Sequence, residues 1–185
     1  MLRLRLPGAL LVAAALAGCS NDPTTPAAAS SGDRTVALHT AAQCLRQHGI
    51  MHFADPVLGA DGTVFTDSRA LEKAADDTRE AAMNACRDQV NAAGWNPDQQ
   101  PPAPAALVAA GVRSAQCLRA HGLPNVKDPT ANSPYTPGHG FGLRADELPP
   151  GVDKRSPIMR QALDSCRTVL NAEHTASSLD RLAGK

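Results

Sequence analysis

Ala41-Ala-Gln-Cys-Leu-Arg-Gln-His-Gly-Ile-Met-His-Phe-Ala-Asp-Pro56 returns 73 residues later as Ser114-Ala-Gln-Cys-Leu-Arg-Ala-His-Gly-Leu-Pro-Asn-Val-Lys-Asp-Pro129. Nine of the sixteen positions are identical. A second pair of blocks follows at an offset of 80: Ala82-Met-Asn-Ala-Cys-Arg-Asp-Gln-Val-Asn-Ala92 and Ala162-Leu-Asp-Ser-Cys-Arg-Thr-Val-Leu-Asn-Ala172. The 7-residue difference between the offsets is extra loop in the second copy. Self-similarity of this kind decides the architecture before any local propensity does. Each copy reads as helix, irregular loop, helix.

The first helix of copy one carries Val36, Thr40, Cys44 and His48 at i+4 intervals, hence on one face. Gly49 supplies the left-handed residue that ends helices, and Ile50 stands where a capping hydrophobic contact is made. Copy two repeats this with Cys117, His121, Gly122 and Leu123, and Pro124 bars continuation. Asp55-Pro56 and Asp128-Pro129 mark a turn after each first helix. Asp61-Gly62, between apolar residues within 57–66, predicts a small hairpin. The second helices are expected over residues 68–93 and 157–182. Ser156-Pro157 has the form of an N-cap followed by proline at the first helical position.

Upstream, residues 1–5 hold two arginines and no acid, and residues 6–16 form an apolar run that ends in Leu16-Ala17-Gly18-Cys19. This is a secretory signal, too short for a bilayer span of roughly 20 residues. The cysteine directly after small residues makes it a lipobox. Cys19 is then expected to receive diacylglyceryl and a palmitate-type acyl chain, supplying the two or more anchors that stable attachment requires. An ordinary cleaved signal with a free Cys19 is the competing reading. Residues 1–18 are thus the signal, 19–33 a flexible tether with Asp33 available as an N-cap, 34–95 repeat one, 96–104 a Pro-rich linker, and 105–185 repeat two. Residues 128–157, rich in proline and containing Gly138-His-Gly-Phe-Gly142, read as low in order.

Cleavage after Gly18 removes two of the 18 basic residues and leaves the 18 acids, a formal charge of −2. No basic run or face is present, so nucleic-acid binding is not expected. Only Phe53, Phe65, Trp95, Tyr135 and Phe141 are aromatic. A core of Ala, Leu and Val buries little area per residue, and such a chain benefits from covalent staples.

Setting Cys19 aside leaves Cys44, Cys86, Cys117 and Cys166, two per copy. Outside the cytoplasm an even, patterned set is read first as disulfides. Three connectivities exist, and the repeat favours Cys44–Cys86 and Cys117–Cys166. Closing loops of 42 and 49 residues contributes about 4 kcal/mol each in the chain-entropy treatment. The sharper alternative is metal: Cys44 with His48, and Cys117 with His121, have helical i, i+4 spacing. A third ligand from Cys86 or Cys166 makes a Cys2His set of the kind zinc takes. Met51 and His52 beside His48 add a copper-like option in copy one alone. Against metal, each histidine stands in a last helical turn, where its ring can bond free carbonyls.

Arg46 and Arg119, and likewise Arg87 and Arg167, could meet an anionic partner or hold a local carboxylate. Asp55 and Asp128 are suitably placed for the latter. The Gly138–Gly142 loop follows no strand and carries no Lys-Ser/Thr ending, so it is read as mobile rather than as a phosphate cradle. No Gly-x-Ser-x-Gly, His-Glu-x-x-His or Cys-x-x-Cys-His motif occurs, and cysteines committed to disulfides are not nucleophiles. No catalytic residue and no cofactor is expected.

Cys117-Leu-Arg-Ala-His-Gly-Leu-Pro-Asn-Val-Lys-Asp-Pro129, with the segment from Gly151 to Cys166, resembles a family of uncharacterised exported and lipid-anchored actinobacterial proteins. Their hallmark is Cys-Met/Leu-Arg-x-His-Gly-Val-Pro-Asn-x-x-Asp-Pro followed by an Ala-rich helix ending in cysteine. The resemblance spans roughly residues 35–173, and copy one departs from it at Met51-His52-Phe53. It implies export, a helical unit and partners among envelope or transporter proteins, without an established activity. The expectation is therefore a mainly α chain of two tandem helix–loop–helix repeats, each stapled by a disulfide, with long irregular loops. It is a lipid-anchored binding protein on the extracytoplasmic face of the cell membrane, or alternatively a metal-binding lipoprotein.

Overall fold

The structure, a computed structural model, describes residues 30–97 and 99–185. The expected signal, Cys19 and the expected tether up to residue 29 lie outside the described residues. Helix α1 (Ser31–Gln47) begins earlier than expected. Ser30, not Asp33, is the N-cap: its hydroxyl oxygen accepts the Asp33 N–H at 3.2 Å, and the Asp33 carboxylate faces the Ser30 N–H at 3.3 Å. Ser30-x-x-Asp33 thus forms a reciprocal capping box, which satisfies two otherwise orphan donors. The face that α1 buries is Leu38, Ala41, Ala42 and Leu45, spaced i, i+3, i+4, i+7. Of the stripe Val36, Thr40, Cys44 and His48, Cys44 turns inward to its disulfide while the other three are exposed, Val36 at 67%.

Both first helices end as their sequence predicts. Gly49 has φ 102°, and the Ile50 N–H donates to Leu45 O at 3.0 Å. At the end of α5 (Ala105–Ala120), Gly122 has φ 100° and the Leu123 N–H donates to Leu118 O at 3.1 Å. Ile50 and Leu123 fold back into the interior, so one motif both caps a helix and seeds a core.

After α1 the chain forms the expected hairpin, β1 (Val57–Leu58) against β2 (Val64–Phe65), antiparallel with Val57 opposite Phe65. The second helices are broken where continuous ones were expected. Residues 68–93 give α2 (Arg69–Glu72), α3 (Asp76–Ala85) and α4 (Arg87–Ala92). Residues 157–182 give α6 (Pro157–Ser165), α7 (Arg167–Ala176) and α8 (Leu179–Leu182). Ser156 caps α6 through the Met159 N–H, as expected. Two breaks fall on Cys86 and Cys166, at φ −100° and −98°, where each sulfur is tied to the opposite helix. The break before α8 has its own cap, the Ser178 hydroxyl accepting the Arg181 N–H. Periodicity alone does not register a one-residue departure that leaves the apolar spacing intact.

The molecule is mainly helical with two disulfides. Helix α1 packs chiefly on α4, and α5 on α7. The interior of residues 30–95 gathers Leu38, Leu45, Ile50, Phe53, Val90 and Trp95. That of the second half gathers Leu118, Leu123, Val126, Met159 and Ala162. A third cluster joins the halves: Phe65 of the hairpin and Leu182 of α8 meet Leu107 and Tyr135. The Pro-rich segment 96–104 belongs to this junction, since the Ala103 N–H donates to Ala131 O at 2.7 Å and Gln100 bonds the Tyr135 backbone. Among the described residues no helix is long and apolar enough to cross a membrane.

Candidate functional site

The cysteines pair as the repeat favoured. Cys44–Cys86 and Cys117–Cys166 are disulfides, each with Cα atoms 5.8 Å apart. Beside each stands the expected histidine, the C-cap residue of its helix. The His121 Nδ1 lies 2.8 Å from Cys117 O, so its N–H can serve a free helical carbonyl, and 3.6 Å from both Cys117 Sγ and Cys166 Sγ. In each half two sulfurs and one imidazole nitrogen fall within 4.8 Å of one another: Cys44, His48 and Cys86, then Cys117, His121 and Cys166. Cys86 and Cys166 are buried, while His48 and His121 are exposed. His52 joins neither group, and Met51 points outward at 72% exposure.

Arg46, Arg119 and Arg167 hold local acids, and Arg87 holds an amide. Arg46 Nη1 donates to Asp55 Oδ1 at 2.7 Å and to Phe53 O at 2.9 Å. Arg119 forms an ion pair with Asp128 and donates to Val126 O, both at 2.8 Å. Each guanidinium thus ties the turn at Asp-Pro back to the helix that precedes it. Arg87 bonds Asn84 and Arg167 bonds Asp164, which are aligned partners one turn back. Among the described residues the first half alone adds an imidazole to this tie: His39 Nδ1 is 2.7 Å from Asp55 Oδ2. Burial pushes the Asp55 carboxyl up, but its hydrogen bonds to Arg46 and His39 outweigh that and hold it below its ordinary value of 3.8. No hydroxyl or thiol is bonded to the other ring nitrogen of His39 among the described residues, so this pair lacks the nucleophile of a triad.

Sequence reasoning missed a cleft of about 520 Å³ in the second half. Its floor is Leu118, Val126, Met159 and Leu170, its walls are Phe141 and Leu143, and its rim carries Lys154, His139 and His174. The size is that of a small-molecule site, and a mainly apolar lining with a few polar groups is usual for one. The glycine-rich loop, expected to be mobile, is pinned to α7 as one wall. The Gly140 N–H donates to Ser177 Oγ at 3.0 Å, the Phe141 N–H to Glu173 Oε1 at 2.7 Å, and the Gly138 N–H to Ser177 O at 2.8 Å. Glycine is required at Gly140 because a Cβ there would lie 2.2 Å from Glu173 Oε1. Gly111 of α5 likewise admits the Phe141 ring, which a Cβ would meet at 2.5 Å.

A second part of the lining is built the same way. The buried Glu147 accepts the Lys127 N–H at 3.1 Å and the Arg144 N–H at 3.0 Å, and pairs with the Arg144 guanidinium. The turn Ala145–Glu147 that carries it is a single 3₁₀ element. Two buried carboxyl groups, Glu147 and Glu173, therefore hold loop backbone, and these hydrogen bonds offset their burial. Lys154 engages no carboxylate among the described residues. Their only sequence signal was the run of glycines opposite acids on another helix, which needs the tertiary fold to be read.

No family model, no curated protein and no solved structure matches this chain.

Proposed function

We propose that this is a lipid-anchored extracytoplasmic lipoprotein of the cell membrane, non-enzymatic, whose second half binds an envelope component through the cleft. In this reading Cys19 carries the lipid, the residues before Ser30 form the tether, and two tandem helix–loop–helix repeats make up the body. The lipobox Leu-Ala-Gly-Cys19 and the resemblance to exported actinobacterial proteins support the address. The observation that carries the binding reading is the apolar cleft with Lys154 at its rim, walled by loops that two buried glutamates hold in place. The chemistry it fits is an apolar chain bearing an anionic group, as a long-chain fatty acid does.

The test is titration of the full chain in detergent-free nanodiscs with a fluorescent long-chain fatty acid. Saturable uptake of one molecule per chain is expected, and Val126→Phe, which fills the floor, should weaken it by about tenfold or more. Uptake that Val126→Phe leaves unchanged would remove the cleft from the reading. The anchor is tested separately by incorporation of radiolabelled palmitate, expected in the wild type and absent in Cys19→Ser.

A further inference from the structure

The two Cys/His ends are stapled in the structure, yet their third group is placed for a different chemistry. His121 Nδ1 is equidistant from the two sulfurs, at 3.6 Å from each. In a tetrahedral zinc site, with bonds of about 2.3 Å to sulfur and about 2.0 Å to nitrogen, the nitrogen–sulfur edge is about 3.5 Å. The imidazole therefore already sits at the vertex such a site needs. Only the sulfurs must part, to an edge of about 3.8 Å. In the first half Cys44, His48 and Cys86 bring the same three donor atoms within 4.8 Å. In both halves one sulfur is buried and fixed, while the histidine is exposed at a helix end, open to an ion from solvent.

We infer that each half holds a redox-gated site for a zinc-type divalent cation, Cys44/His48/Cys86 and Cys117/His121/Cys166, closed by the disulfide and opened by its reduction. The reductant is an exported dithiol. It is oxidised to its own disulfide while the cystine takes up two electrons and two protons to become two thiols. The cation then displaces both thiol protons to solvent and binds two thiolates and one imidazole, with water in the fourth position. At His121 the proton also moves. In the oxidised chain Nδ1–H serves Cys117 O at 2.8 Å. Ligation through Nδ1 needs its lone pair, so the ring turns to the Nε2–H tautomer and that bond is given up. Because the histidine is a cap residue, each site reports its state at the end of α1 or α5.

The test uses the full chain, reduced with a phosphine that is then removed under anaerobic conditions, and Co²⁺ as the probe. Two ions per chain with thiolate-to-cobalt charge-transfer absorption are expected after reduction, and none before it. Cys117→Ser/Cys166→Ser should leave one ion. His48→Ala and His121→Ala keep both cysteine pairs, and each should weaken its own site at least about tenfold. Far-UV circular dichroism is followed throughout. If reduction melts the helices, cobalt should restore them, since metal binding is then coupled to folding. Four free thiols with no charge-transfer band would overturn the inference. So would binding that both histidine variants leave unchanged.

Discussion

Phe53 and Val126 occupy the same place in the two sixteen-residue motifs, yet their surroundings differ. Phe53 is buried against Trp95, ring centroids 5.6 Å apart, and the pair fills the interior of the first half. Val126 is smaller, and beside it the second half is open. Its aromatic wall, Phe141, is delivered by a loop and seated over Gly111. A first helix with the same kind of capping glycine and the same Arg–Asp tie thus leads to a filled core around Phe53 in one half and to a cleft beside Val126 in the other. They differ in side-chain volume at this position, in 7 extra residues of loop in the second half, and in what the connecting loop forms: a hairpin and α2 in the first half, the glycine-rich loop and a 3₁₀ turn in the second.

The largest expected effects test whether the frames are equivalent. Replacing both cysteines of one disulfide by alanine should destabilise by about 4 kcal/mol in either half, read as a fall in Tm or in the denaturant midpoint. A much smaller loss in one half would show that its core no longer depends on the staple. Next comes the filling. Phe53→Ala should cost about 3–5 kcal/mol, whereas Val126→Ala, beside existing open space, should cost about 1–2 kcal/mol. Equal losses would break the contrast between a closed and an open interior. Gly111→Ala drives a methyl into the Phe141 ring and should cost about 1–3 kcal/mol. It should also shift the loop resonances of residues 138–142 while leaving those of the first half in place.

A smaller effect concerns acid. Asp55 in the folded chain titrates below its ordinary 3.8, through Arg46 and His39. A depressed carboxyl contributes stability that is complete above the unfolded value and is lost as pH falls through the folded one. The knot at Asp55 should therefore be intact at pH 5 and weaken only below about pH 4. His39→Ala should move the Asp55 carboxyl resonance midpoint upward by NMR. The pair is surface-exposed, so its effect on stability is small. An unchanged midpoint would show that His39 contributes nothing there.

Much of this frame was legible from residues alone. Helix ends followed from Gly49 and Gly122, the disulfide pairing from the matching cysteine positions, and the arginine ties from Asp55 and Asp128. The helix ends and the arginine ties depend on contacts within one motif, and the disulfides, 42 and 49 residues apart, were readable because both cysteine positions recur in matching blocks. The breaks at Cys86 and Cys166 were not legible, because a one-residue departure leaves the apolar spacing unchanged. The start of α1 was misplaced by three residues because both Ser30 and Asp33 can cap. The cleft was hidden for a different reason. Its walls are loops fixed by Glu147 and Glu173, whose partners are backbone N–H groups, and backbone donors carry no sequence signature.

The most direct test of the proposal that the cleft beside Val126, and not the filled core around Phe53, takes a ligand is amide hydrogen exchange, with and without a saturating long-chain fatty acid. Added protection confined to residues 126–148 and to α6 and α7, with α1 to α4 unchanged, is the expected result. Protection spread equally over both halves, or none in residues 126–148, would contradict it.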